Sequence, residues 1–200
     1  MKTTTLVATI LLALFFSKLS FADETIVMIR HGEKPEAGLG QLNCQGLNRS
    51  IALPEVLRTK FGIPAAIFAP NPGTQKNDRG TLYNYIRPLA TIEPTAISFG
   101  MPVNTQFGLD DISALQTALL SPAYANSTVF VAWEHRLAEE AARKILVENY
   151  GDPSTVPTWE SSDFDSIYVV KVRQNEQGKN IASFSLDKQG LNHLPSSCPK

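Results

Sequence analysis

Short apolar runs alternate along this chain with longer stretches of helical periodicity. The runs at 25–29, 64–70 and 128–133 are too short for typical helices, and they predict buried strands. Helical patterns follow each of them, and the chain ends with two strand-like segments at 166–173 and 181–186. The helices are expected to begin near Asn43, Arg87, Asp110 and His135.

This order of strands and helices indicates an α/β fold in three layers, with a mainly parallel central sheet. The last two strands, joined by the polar segment 174–180, are also compatible with a hairpin. Residues 71–80 are polar and contain Pro and Gly, which predicts an exposed loop. No repeat or second domain is visible, so residues 23–200 are expected to form a single domain.

The first 22 residues have the pattern of a cleaved secretory signal. Lys2 precedes the apolar run Leu6–Phe16, and Ser20 and Ala22 supply the small residues of a cleavage site. The apolar run is shorter than the roughly 20 residues that span a bilayer, so no stable membrane insertion is expected after cleavage. The sequence therefore predicts a periplasmic or secreted protein.

Export changes the interpretation of the two cysteines, because disulfides form in oxidising compartments. Cys44 and Cys198 are candidates for a disulfide, and the alternative is a buried Cys44 thiol with a free thiol in the tail. The formal charge of the whole chain is −1, which gives no electrostatic reason to expect nucleic acid binding. Any anion site must therefore be built locally.

Cations and imidazoles follow several of the predicted strands. Arg30 and His31 end the first strand, Arg87 begins a helix, and His135 lies between the clearest strand and its helix. Ligands bind at the carboxyl ends of strands in open α/β sheets, and guanidinium groups match the oxygens of phosphate. The two histidines could instead hold a metal, but two arginines beside them would repel it. No G-x-S-x-G motif supports a serine hydrolase.

Arg30-His31-Gly32 followed by Leu42-Asn43-x-x-Gly46 resembles the entry signature of the histidine phosphatase superfamily, whose fold is phosphoglycerate mutase-like. Arg87 and His135 match the later arginine and histidine of that family. The resemblance implies that His31 attacks phosphorus and becomes phosphohistidine, while Arg30, Arg87 and His135 hold the phosphoryl oxygens. It implies no metal and no cofactor. Glu134 and Arg136, which flank His135, depart from the mutase branch.

The acid that would protonate the leaving group stays open at this point. The candidates are Glu134, Asp111, Asp110 and Glu33, and we favour Asp111 slightly, although Asp110 and Asp111 could simply begin a helix. Strand alternation would point Glu134 away from His135 unless the strand has already ended. Lys34 is a further candidate phosphate-binding residue, or else a solvated lysine.

Two functions lead on this reasoning, and an intracellular-type mutase is a poorer third choice because a secretory leader would place it away from glycolytic intermediates. The first is a metal-independent phosphatase that acts on a small phosphorylated substrate or on a phosphorylated component of the cell envelope. The second is a non-catalytic module that binds phosphorylated ligands in the same pocket. A competent acid would distinguish them.

Overall fold

A computed structural model describes residues 23–199, so the expected signal peptide lies outside the described residues. A five-stranded sheet forms the centre of the molecule, with the strand order β2-β5-β1-β6-β7. The elements are β1 (Asp23–Arg30), α1 (Cys44–Phe61), β2 (Ala66–Phe68), β3 (Gln75–Asp78), β4 (Thr81–Asn84), α2 (Arg87–Phe99), α3 (Ile112–Leu119), β5 (Thr128–Trp133), α4 (His135–Glu148), β6 (Ser166–Gln174) and β7 (Asn180–Lys188).

The sheet is mixed. β2, β5 and β1 run parallel, whereas β6 pairs antiparallel with β1, and β7 pairs antiparallel with β6. β6 and β7 are consecutive and joined by a short turn, which is why they pair antiparallel. The expected α/β fold in three layers is confirmed, and its parallel part consists of the three strands on one side of the sheet.

Helices cover both faces of the sheet because the central strands are apolar on both faces. Alternate residues of β1 point to opposite sides: Ile26 and Met28 pack against α3 and α4, whereas Val27 and Ile29 pack against α1 and α2. Each fully buried Leu or Ile in these two cores contributes roughly 1.5–3 kcal/mol. The two buried faces fix the strand register, and the register in turn fixes which residues meet at the edge of the sheet.

The entry to α1 explains the spacing of Asn43 and Gly46. Asn43 is the N-cap, and its side chain accepts the backbone N–H of Gly46. A Cβ atom on Gly46 would lie 2.3 Å from the carbonyl oxygen of Glu33, so only glycine lets the helix approach the segment after His31 this closely.

The prediction of a loop at residues 71–80 is wrong for its second half. β3 and β4 form a separate hairpin, whose two central turn residues, Arg79 and Gly80, have φ values of 59° and 90°. Such turns usually contain Asn-Gly or Asp-Gly, so Arg-Gly gives only a weak sequence signal. The hairpin is also too polar to show the alternation of a half-buried strand.

The C-terminal tail is fastened to α1. Cys44 and Cys198 form a disulfide, which is the pairing that the sequence offered, with their Cα atoms 4.4 Å apart. Asn48 donates from its side chain to the carbonyl oxygens of Pro195 and Ser197, both at 2.8 Å. Within residues 23–199, no helix has both the length and the apolar character needed to cross a membrane.

Candidate active site

Two neighbouring parallel strands bring the two candidate histidines together. β1 and β5 pair with Arg30 opposite Trp133, and the backbone N–H of His31 donates to the carbonyl oxygen of Trp133 at 3.1 Å. His31 follows β1 directly, while Glu134 and His135 follow β5. These side chains therefore lie at one carboxyl edge of the sheet, where ligands of open α/β folds bind.

The ring of His31 is oriented by a backbone hydrogen bond. Its Nδ1 lies 2.8 Å from the carbonyl oxygen of Gly32, which can only accept, so Nδ1 carries the proton and Nε2 holds a lone pair. Burial lowers the pKa of His31 well below its ordinary value of 6.5; the Gly32 hydrogen bond opposes this shift, and Arg30 and Arg87 reinforce it. His31 is thus neutral at pH 7, the form in which an imidazole is a nucleophile.

Arg30 is anchored through one end of its guanidinium group. Nη1 donates to the carbonyl oxygens of Glu160, Ser161 and Asp163 at 2.8–3.3 Å, and Cζ lies 3.9 Å from the centre of the Phe164 ring. Its Nε is buried and has no hydrogen-bond partner within residues 23–199. Burial lowers the pKa of Arg30 to about 10, which leaves the group charged at pH 7.

Arg87 is the first residue of α2, and Pro88 follows it in the first turn, where its missing N–H costs nothing. Nη2 of Arg87 is paired with Oδ2 of Asp78, while its Nε, like that of Arg30, is buried and unpartnered in the part of the chain that the structure describes. Thr91 donates to the carbonyl oxygen of Arg87 and accepts the N–H of Gly32, both at 2.8 Å. This relay fixes α2 against the His31 segment.

Asp78 reaches the site from the β3–β4 hairpin. Besides Arg87, its Oδ2 accepts the N–H of Gly40 at 3.2 Å, and its Oδ1 lies 3.6 Å from Nζ of Lys34. The carboxylate therefore connects the hairpin, the loop after His31 and the start of α2. Oδ1 therefore has fewer close contacts than Oδ2.

Glu134 and His135 both line the site because β5 ends at Trp133 and strand alternation ends with it. Oε2 of Glu134 accepts the backbone N–H groups of Arg136 and Leu137 as the N-cap of α4. Its Oε1 lies 2.8 Å from Nδ1 of His135, without the alignment of a hydrogen bond. Burial would raise the pKa of Glu134, but His135, Lys76 and the N–H of Leu137 outweigh it and lower the pKa to about 2.

These groups surround a cavity of about 200 Å³. Five Lys or Arg side chains face two carboxylates there, so the cavity is locally positive although the whole chain has a net charge of −1. The lining residues are Arg30, His31, Lys34, Lys76, Asn77, Asp78, Tyr85, Arg87, Glu134, His135 and Arg136.

Three of the candidate acids do not line this cavity. Oδ2 of Asp111 accepts the N–H of Gly108 within its own loop, so the preference for Asp111 is corrected, and Asp110 is likewise outside the cavity. Glu33 is paired with the buried Arg49, whose Nη2 lies 2.6 Å from Oε1 of Glu33. Glu134 is the remaining candidate that reaches the cavity.

The sequence did not identify Asp78 or Lys76, since both belong to the hairpin that the polar segment concealed. Tyr85, which packs edge-on against His31 with 5.9 Å between ring centres, was also missed. Recognising Arg79-Gly80 as the turn of a hairpin would have pointed to Asp78 and Lys76. Among residues 23–199, no group of three or more His, Cys, Asp or Glu side chains is arranged to hold a metal ion.

Comparisons with known proteins bear on the fold. No family model and no curated protein matches the sequence. Two similar solved structures carry the provisional name phosphohistidine phosphatase SixA. The one from Nakamurella multipartitia has a TM-score of 0.51, 20% identity and coverage of 82% of this chain and 95% of the other. The one from Agrobacterium tumefaciens has a TM-score of 0.50 and 12% identity, and the match covers 80% of this chain and 96% of the other.

A third similar structure is a mycobacterial glucosyl-3-phosphoglycerate phosphatase in complex with inorganic phosphate. Its TM-score is 0.52, with 13% identity and coverage of 80% of this chain and 95% of that chain. The likeness extends over most of both chains in all three cases. The chain therefore shares the phosphoglycerate mutase-like α/β fold of these solved structures, with a mixed central sheet flanked by helices.

Proposed function

We propose that this protein is a metal-independent phosphatase that hydrolyses phosphoesters through a phosphohistidine at His31. The observation that carries the proposal is that two buried arginines, Arg30 and Arg87, line the same cavity as His31, whose imidazole is held neutral. Guanidinium groups match the oxygens of phosphate, so two of them beside a neutral imidazole favour a phosphoryl ligand.

In the first step, Nε2 of His31 attacks phosphorus while the bond from phosphorus to the ester oxygen breaks. The three non-bridging oxygens carry negative charge, which we expect Arg30, Arg87 and His135 to balance. Because Nδ1 of His135 lies beside Glu134, Nε2 of His135 is the nitrogen left for a ligand. Water then attacks the phosphohistidine, which releases phosphate and restores neutral His31.

The leaving oxygen needs a proton, and we assign its transfer to Asp78. Glu134 is held ionised, and its Oε2 is occupied as the cap of α4. Oδ1 of Asp78 has only the distant contact with Lys34 at the open end of the cavity. In the proposed mechanism, Asp78 gives a proton from Oδ1 to the ester oxygen as the bond to phosphorus breaks, and it takes one from the attacking water in the second step.

The substrate class follows from the expected location. We propose that the mature protein is exported and acts on a small phosphorylated substrate or a phosphorylated envelope component. The charged leader, the apolar run and the small residues before Asp23 support export. The disulfide between Cys44 and Cys198 suits an oxidising compartment.

The test is hydrolysis of p-nitrophenyl phosphate by the purified mature chain, with and without a chelator. His31→Ala should lower turnover by at least about a thousandfold, because no other residue replaces the nucleophile. Asp111→Asn is the matched control and should match the parent, since Asp111 lies outside the cavity. Full activity of His31→Ala, or a strict requirement for a metal, would overturn the mechanism. Phosphate binding without any turnover would favour the binding module instead.

A further inference from the structure

The cavity has a buried floor and an open cationic rim. The side chains of Arg87 and His135 on the floor are 3% and 11% exposed. Those of Lys34 and Arg136 are 38% and 75% exposed, and Lys76 is half-buried beside them. We call Lys34, Lys76 and Arg136 the rim cations. The floor groups suffice for one phosphoryl group, so the rim cations need a separate explanation.

Lys76 is the rim cation that lacks a counterion. Lys34 has Asp78 at 3.6 Å and Arg136 has Glu134 at 3.5 Å, whereas Lys76 has no carboxylate within 4.0 Å in the described part of the chain. Its Nζ lies 5.1 Å from the centre of the Tyr85 ring, over the cavity.

The environment of Lys76 disfavours an unpaired charge. Burial lowers its pKa, and Arg136 and Arg87 act in the same direction, while Glu134 and Asp110 oppose them. A half-buried ammonium group among other cations is destabilised until an anion joins it. Because Lys76 lines the cavity, that anion can come from a ligand already bound on the floor.

We propose that the preferred substrate carries a second anionic group, a phosphoryl or a carboxylate, a few bonds from the phosphoryl group that is transferred. Lys76 binds this second group, with Lys34 and Arg136 beside it, and so determines specificity. The proposal rests on the phosphatase function above and extends it to the leaving group. Simple electrostatic steering would also favour the more highly charged ester, but it depends on the summed charge of the cavity, so removing any one rim cation should weaken it about equally.

The experiment compares three esters that share a propyl chain and carry a neutral, an anionic or a cationic group at its far end: 3-hydroxypropyl phosphate, 1,3-propanediol bisphosphate and 3-ammoniopropyl phosphate. After correction for its two equivalent phosphates, the bisphosphate should show a kcat/KM at least tenfold above that of the hydroxypropyl ester. The ammonium ester should be the poorest substrate. The preference should fall as NaCl is raised from 0.05 to 0.5 M, because salt screens exposed charges.

Lys76→Met keeps most of the length of the side chain and removes its charge, and it should reduce the tenfold preference to within about threefold. Lys144→Met is the matched control: Lys144 pairs with Glu140 on the outside of α4, and its replacement should leave the ratio unchanged. Lys34→Met and Arg136→Met provide the same measurement if the Lys76 variant does not fold. Their expected effects are smaller, since both residues already have a carboxylate nearby.

Equal kcat/KM values for the hydroxypropyl and bisphosphate esters in the parent protein would overturn the inference and leave the phosphatase function standing. A preference that survives in all three rim variants would also overturn it. If none of the esters is hydrolysed, the phosphatase proposal itself fails. Calorimetric titration with the same esters then tests the rim directly, and equal dissociation constants would refute it.

Discussion

Replacing Arg49 with methionine should destabilise this fold strongly, because Arg49 is a fully buried charge between two carboxylates. Its side chain is 0% exposed, and it donates to Glu33 at 2.6–3.2 Å and to Gln189 and Asn192 at 2.9 and 3.1 Å. Nη1 also lies 3.4 Å from Oδ1 of Asp165. The cluster joins α1, the segment after His31, the start of β6 and the C-terminal tail.

The magnitude follows from what the substitution leaves behind. Methionine fills most of the volume of Arg49, so the cavity cost is small and the loss is mainly electrostatic. Glu33 and Asp165 keep side chains that are only 12% and 9% exposed, and they would face each other without a cation. Removing one partner of a buried pair costs about 3–5 kcal/mol. We expect a loss near the lower end, about 3 kcal/mol, since Glu33 retains some contact with water.

Equilibrium unfolding in urea, followed by circular dichroism with the disulfide intact, measures this loss. Arg58→Met on the same helix is the matched control. Arg58 donates to the carbonyl oxygen of Ser98 at 3.3 Å and lies at the surface over Phe99, so its loss should cost less than about 1 kcal/mol. Adding Glu33→Gln to Arg49→Met should recover at least about 1 kcal/mol, because it removes one uncompensated charge. An Arg49→Met protein within 1 kcal/mol of the parent would refute the reasoning.

Two further predictions concern the proton donor and the pH dependence of stability. Asp78→Asn should slow alkyl phosphates about 10²–10⁴-fold more than p-nitrophenyl phosphate, whose leaving group needs no proton; equal slowing of both would show instead that Asp78 only positions Arg87. Glu24 is buried in β1 with Oε1 unpartnered among the described residues, and burial raises its pKa from 4.5 to about 7. Because the folded state resists ionisation, stability should be lost as the pH rises from 4.5 through 7. Glu24→Gln should therefore be more stable than the parent at pH 8, by about 1–2 kcal/mol after a discount for partial solvation, and equal to it at pH 4. Urea unfolding of the parent and of Glu24→Gln at pH 4 and pH 8 measures the difference in their free energies of unfolding. The same difference at both pH values would contradict the raised pKa of Glu24.

The sequence by itself determined the main elements and the four residues at the centre of the site. The runs at 25–29 and 128–133 are apolar on both faces, which is typical of central strands. Arg30 and His31 follow the first run, and His135 comes two residues after the second. Pro88 indicated that Arg87 begins a helix. These signals are local, because periodicity, capping and chain order are all written in neighbouring residues.

Only the tertiary structure decided what completes the site. Asp78 and Lys76 enter from a polar hairpin whose strands pair with each other rather than with the central sheet, so no apolar pattern marked them. Asp111 was slightly favoured as the acid from sequence, yet its carboxylate accepts the N–H of Gly108 within its own loop. In the sequence, Arg49 is one more charged residue of a helix, and nothing near it indicates that it is buried between carboxylates. Its partners lie 16 to 143 residues away. Chain folding brings such groups together through contacts that no local pattern encodes, and this is why the sequence could place His31 in the site and could not place Asp78 there.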